Sequence, residues 1–312
     1  MRAVFFGTPD FAVPSLTALR GRAEIGLVVT RPDRPVGRHS QPIPSPIAVA
    51  AQRAGLPVAR PAALRDPEFL ARLVAASPDV GVVVAYGRIL PAAILAVPRL
   101  GFVNVHASLL PRHRGASPVA AALLAGDQET GVVTMRVVEE LDAGPIYLER
   151  RVAVAPDEDA GALSERLSRL GAELLAETLE GLEAGTLQAR PQEGEATFCR
   201  PLAREDGAVD WTEPAGALAR KLRAFSPWPG LFTFLGAERI KILVARPVHV
   251  SETRPPGTLW RQGEEALAAA GDGSALVLLR VQRAGRKPVG GAEFLRGLPA
   301  LPARLSRLRT GG

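Results

Sequence analysis

The chain has 312 residues, 47% apolar and 22% charged, a balance that suits a folded protein with a sizeable core and excludes a disordered one. A single cysteine, Cys199, excludes an internal disulfide framework, and no apolar run reaches the ~18–20 residues needed to cross a bilayer. The net charge of +6 falls wholly after Arg204, with 22 basic and 22 acidic side chains up to that residue and 16 and 10 beyond it.

At roughly 100–200 residues per domain the length predicts two domains. A basic module behind a neutral one suits a polyanionic partner. An arginine-rich composition with three lysines, Lys221, Lys241 and Lys287, is the blander source of the same charge. The N-terminal apolar run stops at Gly7, too short for a secretory signal, so a cytoplasmic protein is expected.

Strands are predicted at residues 3–6, 26–30, 80–85 and 102–105, which are rich in Val and Phe and bounded by Gly, Pro or Asp. Helical patterns at 47–54, 68–76 and 119–125 lie between them. That alternation predicts a doubly wound, mostly parallel α/β sheet. Two more strands, 132–138 and 146–154, flank the turn Asp142-Ala143-Gly144-Pro145. A long helix follows, with Leu163, Leu167, Leu170, Leu174 and Leu182 as a core stripe, acidic residues 157–159 at its start and Gly185 past its end. Periodicity fades from Pro191 to Asp210. Beyond it, short strands at 231–235, 240–244, 257–260 and 275–281 predict a small antiparallel β-barrel, OB-like. The domains are therefore expected at 1–190 and 211–312, with a linker at 191–210.

The densest chemical signal is Asn104-Val105-His106-Ala107-Ser108-Leu109-Leu110-Pro111. In extended backbone Asn104 and His106 face the same way, at the carboxyl end of a buried strand, where open α/β sheets bind ligands. Asp142 starts a second turn. A carboxylate beside the imidazole is expected to raise the histidine pKa. The trio suits acyl transfer between nitrogens: amide and imidazole N–H groups can hold an oxyanion, and a carboxylate can take the amine proton. A structural histidine at a strand end is the commoner reading of an isolated N-x-H.

Among the remaining motifs, Gly7-Thr8-Pro9 lacks the G-x-G-x-x-G spacing of a dinucleotide site. His39, His106, His113 and His249 have no ligand partners at metal-binding spacing, so no metal is expected, and His113 between two arginines is read as a surface residue. Trp211, Trp228 and Trp260 are read as core or hinge residues before base-stacking platforms.

These residues resemble the folate-dependent formyltransferases. Asn104, His106 and Asp142 match that family's catalytic trio, and Ser108, Leu109, Leu110 and Pro111 its folate-binding loop. Further matches are Phe6-Gly7-Thr8-Pro9-Asp10-Phe11, Ala85-Tyr86-Gly87 with Ile89-Leu90-Pro91, Pro111-Arg112-His113-Arg114-Gly115-Ala116, Arg223-Ala224-Phe225 with Pro227-Trp228-Pro229-Gly230, and Gly285-Arg286-Lys287-Pro288. The C-terminal matches are similar to the branch whose acceptor is methionyl initiator tRNA. The resemblance implies a formyl transferase that draws on 10-formyltetrahydrofolate as cosubstrate, without a metal, and is expected to be a monomer. It also implies that Pro32-Asp33-Arg34-Pro35-Val36-Gly37-Arg38 is a tRNA-contacting loop, with Arg34 and Arg38 as binding residues. His39-Ser40-Gln41 stands where the family pattern has lysines. A small-amine acceptor and a non-catalytic RNA-binding protein are the rival readings. The basic second domain argues against the first, and the intact trio against the second.

Overall fold

The computed structural model describes residues 1–35 and 42–308. Along the chain run β1 (Arg2–Gly7), α1 (Val13–Arg20), β2 (Glu24–Val29), β3 (Arg34–Pro35), β4 (Pro42–Ile43), α2 (Pro46–Arg53), β5 (Val58–Ala59), α3 (Pro67–Ala75), β6 (Val80–Val84), α4 (Ala92–Leu95) and β7 (Phe102–His106). They are followed by β8 (Arg114–Gly115), α5 (Pro118–Ala125), β9 (Glu129–Arg136), β10 (Ile146–Ala153), α6 (Ala160–Glu183) and β11 (Phe198–Cys199). The chain divides into two compact units. The first is Met1–Pro118, Gln128–Val154 and Leu163–Arg200, and the second is Val119–Asp127, Ala155–Ala162 and Pro201–Gly312.

The first unit holds a seven-stranded sheet in the order β10-β9-β7-β6-β1-β2-β5. Strands β5, β2, β1, β6 and β7 are parallel, and β9 and β10 run antiparallel at one edge. The interiors of β1, β2 and β6 are apolar because both faces are covered, and β7 breaks that pattern at Asn104 and His106. Phe6 packs edge-on against Phe69, Tyr86 and Phe102 within one buried cluster. Helix starts follow local chemistry: Ser45 caps α2 through the Ala48 N–H at 3.1 Å and Asp66 caps α3 through the Glu68 N–H at 3.1 Å, each followed by proline at the first helical position. Of the leucine stripe of α6, Leu163, Leu167 and Leu174 are buried and Leu170 and Leu182 half-buried, and Thr178 meets Thr134 of β9 at 2.7 Å.

The second unit carries α7 (Ala215–Ala224), β12 (Leu231–Leu235), β13 (Glu238–His249), β14 (Thr258–Gln262), β15 (Glu265–Ala269), β16 (Ser274–Arg283), β17 (Val289–Gly290), α8 (Gly291–Arg296) and β18 (Ala303–Ser306). These strands pair antiparallel, and the contact between β13 and β16 closes β13-β12-β18-β14-β15-β16 into a six-stranded barrel. Trp260 lies in the core with Leu267, Ala269, Ala275 and Val277. Trp211 is buried too, its indole N–H donating to the Thr233 hydroxyl at 2.9 Å, whereas Trp228 is exposed. No helix among the described residues is long and apolar enough to cross a membrane.

Candidate active site

Strand β7 delivers Asn104 and His106 at its carboxyl end, two residues apart and therefore on the same side of the pleat. Register places Asn104 beside Val83 of β6, so the turn Ala85-Tyr86-Gly87 beyond β6 is adjacent in the sheet. Asn104 is half-buried, and among the described residues its amide makes no hydrogen bond to protein. An amide so placed has donors available for a ligand.

His106 is buried, and both ring nitrogens face protein. Nε2 lies 3.1 Å from the His113 carbonyl. A carbonyl only accepts, so Nε2 carries the proton. Nδ1 lies 3.7 Å from Oδ2 of Asp142 and is the nitrogen left to gain or lose a proton. Burial pushes the His106 pKa below its ordinary value, more strongly than the Asp142 carboxylate pulls it up. Asp142 does pull this pKa up, as expected, but the expectation of a raised value overall is corrected: removing the imidazolium from water outweighs the attraction of a carboxylate 3.7 Å away. A second correction concerns His113, expected at the surface and found buried. Its backbone adopts φ +58°, and its N–H donates to the Thr197 hydroxyl at 2.8 Å.

Asp142 sits at φ +48°, a conformation that L-residues adopt at a cost. Its Oδ2 accepts the Gly115 N–H at 2.8 Å. Two residues on, a Cβ at Gly144 would lie 1.7 Å from the Arg136 carbonyl, so only glycine lets the turn pass there. Gln192 donates from Nε2 to the carbonyls of Asp142 and Gly144, each at 2.8 Å, and accepts at Oε1 from Nε and Nη2 of Arg114 at 3.1 and 2.8 Å. Strand β11 pairs in parallel with β8, and Cys199 accepts the Ser117 N–H at 3.4 Å while its thiol faces the Arg114 carbonyl at 3.3 Å. Burial raises the Cys199 pKa, which keeps it a thiol. Gln192, Thr197 and Cys199, within the stretch whose sequence suggests a linker, thus brace this site from behind.

The loop Ser108–Pro111 is packed inward. The Ser108 hydroxyl is buried and donates to the Arg112 carbonyl at 2.6 Å, and Leu110 packs with Val133, Met135 and Ile146. Leu109 lies over Gly131, where a Cβ would approach it to 2.5 Å. Beyond β6, Ala85 and Gly87 adopt φ +47° and +77°, Tyr86 is buried against Phe6, and Ile89 is 70% exposed. Burial raises the Tyr86 pKa, against the opposing pull of the Arg88 and Arg31 guanidiniums beside its hydroxyl. Arg34 belongs to β3, which pairs with β4, and Arg38 lies outside the described residues. No group of three or more His, Cys, Asp or Glu side chains suited to a metal ion occurs among the described residues.

Residues 1–179 match the model of the formyl transferase family, and residues 201–299 that of the formyl transferase C-terminal domain. The chain belongs to the formyl transferase family. A methionyl-tRNA formyltransferase from Thermus thermophilus is 48% identical over 302 residues, covering 97% of this chain and 98% of the relative. Another, from Roseiflexus castenholzii, is 47% identical over 305 residues and covers 96% of each chain. Among solved structures, WlaRD, a sugar 3N-formyl transferase determined in the presence of dTDP and 5-N-formyl-THF, superposes with a TM-score of 0.65 at 14% identity, covering 92% of this chain and 99% of its own. HypX from Aquifex aeolicus, in complex with tetrahydrofolic acid, gives 0.62 at 18% identity, covering 96% of this chain and 48% of its own. At those identities the two structures speak for a shared fold.

Proposed function

We propose that this enzyme transfers the formyl group of 10-formyltetrahydrofolate to the free amino group of methionyl initiator tRNA, with Asn104, His106 and Asp142 carrying the chemistry. The observation that supports it best is an unpartnered amide, an imidazole and a carboxylate converging beyond β7, in a chain nearly half identical over almost its whole length to methionyl-tRNA formyltransferases. The residues fit a formyl donor: Asn104 has donors available among the described residues, and Ile89 offers an apolar surface past the neighbouring strand.

The donor supplies the formyl group on its N10. In the transfer the acceptor's N–C bond forms, the bond from N10 to the formyl carbon breaks, and a proton passes from the attacking amine to the departing nitrogen. The Asn104 amide donates to the formyl oxygen as negative charge builds there. Asp142 takes the proton of the attacking amine, and Nδ1 of His106, neutral at pH 7, is the adjoining acceptor that shares it. With Nε2–H directed at the His113 carbonyl, the ring is placed as Asp142's proton partner, leaving Asn104 as the oxyanion donor. Ser108, Leu109, Leu110 and Pro111 shape the folate side of the site as a buried turn. Arg34, Arg38 and the basic C-terminal barrel meet the tRNA, whose phosphates reward positive charge without reading sequence.

The test supplies purified protein with labelled 10-formyltetrahydrofolate and, in parallel, methionyl-tRNA, uncharged tRNA and free methionine. Label on the charged tRNA alone is expected. Label on free methionine at an equal rate would move the reading to a small-amine acceptor, and no transfer with tRNA still bound to an RNA-binding protein.

A further inference from the structure

We infer that Gln192 and Arg114 form a positioning clamp for Asp142. The inference rests on the catalytic reading of Asp142 given above. All four hydrogen-bonding positions of the Gln192 amide are filled. Both N–H groups go to the carbonyls of Asp142 and Gly144, and both Oε1 lone pairs face the guanidinium of Arg114. Arg114 precedes Gly115 in β8, and the Gly115 N–H holds Oδ2 of Asp142 at 2.8 Å. The contacts close a ring: carboxylate to Gly115, along the chain to Arg114, across to Gln192, and back to the Asp142 backbone. The ring grips Asp142 at its backbone carbonyl and at its carboxylate together, which fixes the direction of the side chain as well as the place of the turn.

Asp142 has reason to need such a grip. Its φ of +48° is a conformation that an L-residue leaves readily unless its surroundings hold it. The His106 partner is 3.7 Å from Oδ2, beyond hydrogen-bond reach, and does not tether it. Arg114 is itself oriented by a contact to Glu140 at 3.4 Å and by the Phe198 ring, whose centroid lies 6.0 Å from the guanidinium carbon. The clamp therefore runs from the segment after α6, through β8, to the proton-handling carboxylate.

Gln192→Glu tests the idea because it keeps length and shape and still accepts from Arg114, but places a carboxylate oxygen against two carbonyls. Misplacement of a reacting group by about 1 Å can cost up to 10²-fold. The expected result is a tenfold to hundredfold lower kcat for methionyl-tRNA formylation, with KM for charged tRNA and affinity for folate within twofold of wild type. Arg114→Lys, which keeps the charge and loses the fork, attacks the ring from its other end and should give the same signature. In an Asp142→Asn background neither change should lower the rate further, since the clamp acts through that carboxylate. Wild-type kcat in both single variants, a change confined to KM, or an undiminished further loss in the Asp142→Asn background would overturn the clamp. Wild-type kcat in Asp142→Asn alone would instead overturn the catalytic reading beneath it.

Discussion

Replacing Gly115 by alanine places a methyl group where the backbone of a neighbouring segment already lies. Gly115 has φ +118°, and its Cβ would stand 2.1 Å from the Cys199 carbonyl oxygen and 3.1 Å from the carbonyl carbon. Ordinary C···O contact begins near 3.3 Å, so β8 and β11 must part by roughly 1.2 Å. The backbone conformation itself costs an L-residue on the order of 1–3 kcal/mol. Forced separation of packed segments adds about 1–3 kcal/mol. The Gly115 N–H, now displaced, also holds the Asp142 carboxylate. Together these give an expected loss of roughly 2–6 kcal/mol in stability. Gly185→Ala is the control. Its φ of +69° carries a backbone cost of about 1–2 kcal/mol, and nothing lies within 4 Å of the added carbon. Urea unfolding of both variants, paired with formylation kinetics, checks the argument. Gly115→Ala should lose more stability than Gly185→Ala, and it alone should lose kcat, by tenfold or more. Equal stability losses, or wild-type turnover in Gly115→Ala, would refute it.

Asn104→Ala should lower kcat by ~10²–10³, the range for removal of an oxyanion donor. Its stability should stay within about 0.5 kcal/mol of wild type, because the amide bonds to no protein group among the described residues. A two-measurement comparison of turnover and urea midpoint separates the two effects. The depressed pKa of His106 makes a signed prediction: its contribution to stability is full above the ordinary value of 6.5 and is lost as pH falls from there through the lower folded value. His106→Gln should flatten the stability profile over that window, by no more than about 1.4 kcal/mol per pH unit, and parallel profiles would contradict the shift. Arg38→Ala should raise KM for charged tRNA and reduce the salt slope of its binding by about one, leaving folate affinity unchanged. An unaltered salt dependence would remove Arg38 from the interface.

Much of this arrangement is legible in the residues themselves. The strands β1, β2 and β6 are almost wholly apolar because both faces of the sheet are covered, and the spacing of Asn104 and His106 in β7 survives directly as two side chains on one side of a strand. The long helix α6 is marked by its leucines and by Gly185 beyond it. What escapes reading depends on tertiary encounters. Strands β8 and β11 contain two residues each, lie more than eighty residues apart, and carry no periodicity, so the stretch after α6 reads as a linker. Gln192 is one polar residue in a Gly- and Glu-rich run until its amide is seen across from Asp142 and Arg114. The opposite motif is misleading at His113, where arginines on both sides suggest solvent while the backbone turns the ring inward. The sign of the His106 shift needs its degree of burial, which spacing does not contain. In the barrel, β15 is an alanine-rich strand with little β-propensity, held by β14 and β16 on its two sides.

The assignment of formyl transfer to the carboxyl end of β7 stands or falls on a single-turnover experiment with His106→Ala. Enzyme in excess, saturating 10-formyltetrahydrofolate and limiting methionyl-tRNA isolate the chemical step from product release. The rate should fall by roughly 10²–10⁴-fold, as for loss of an acid–base group, while affinity for charged tRNA is unchanged. A wild-type rate in that variant would place the chemistry elsewhere in the fold.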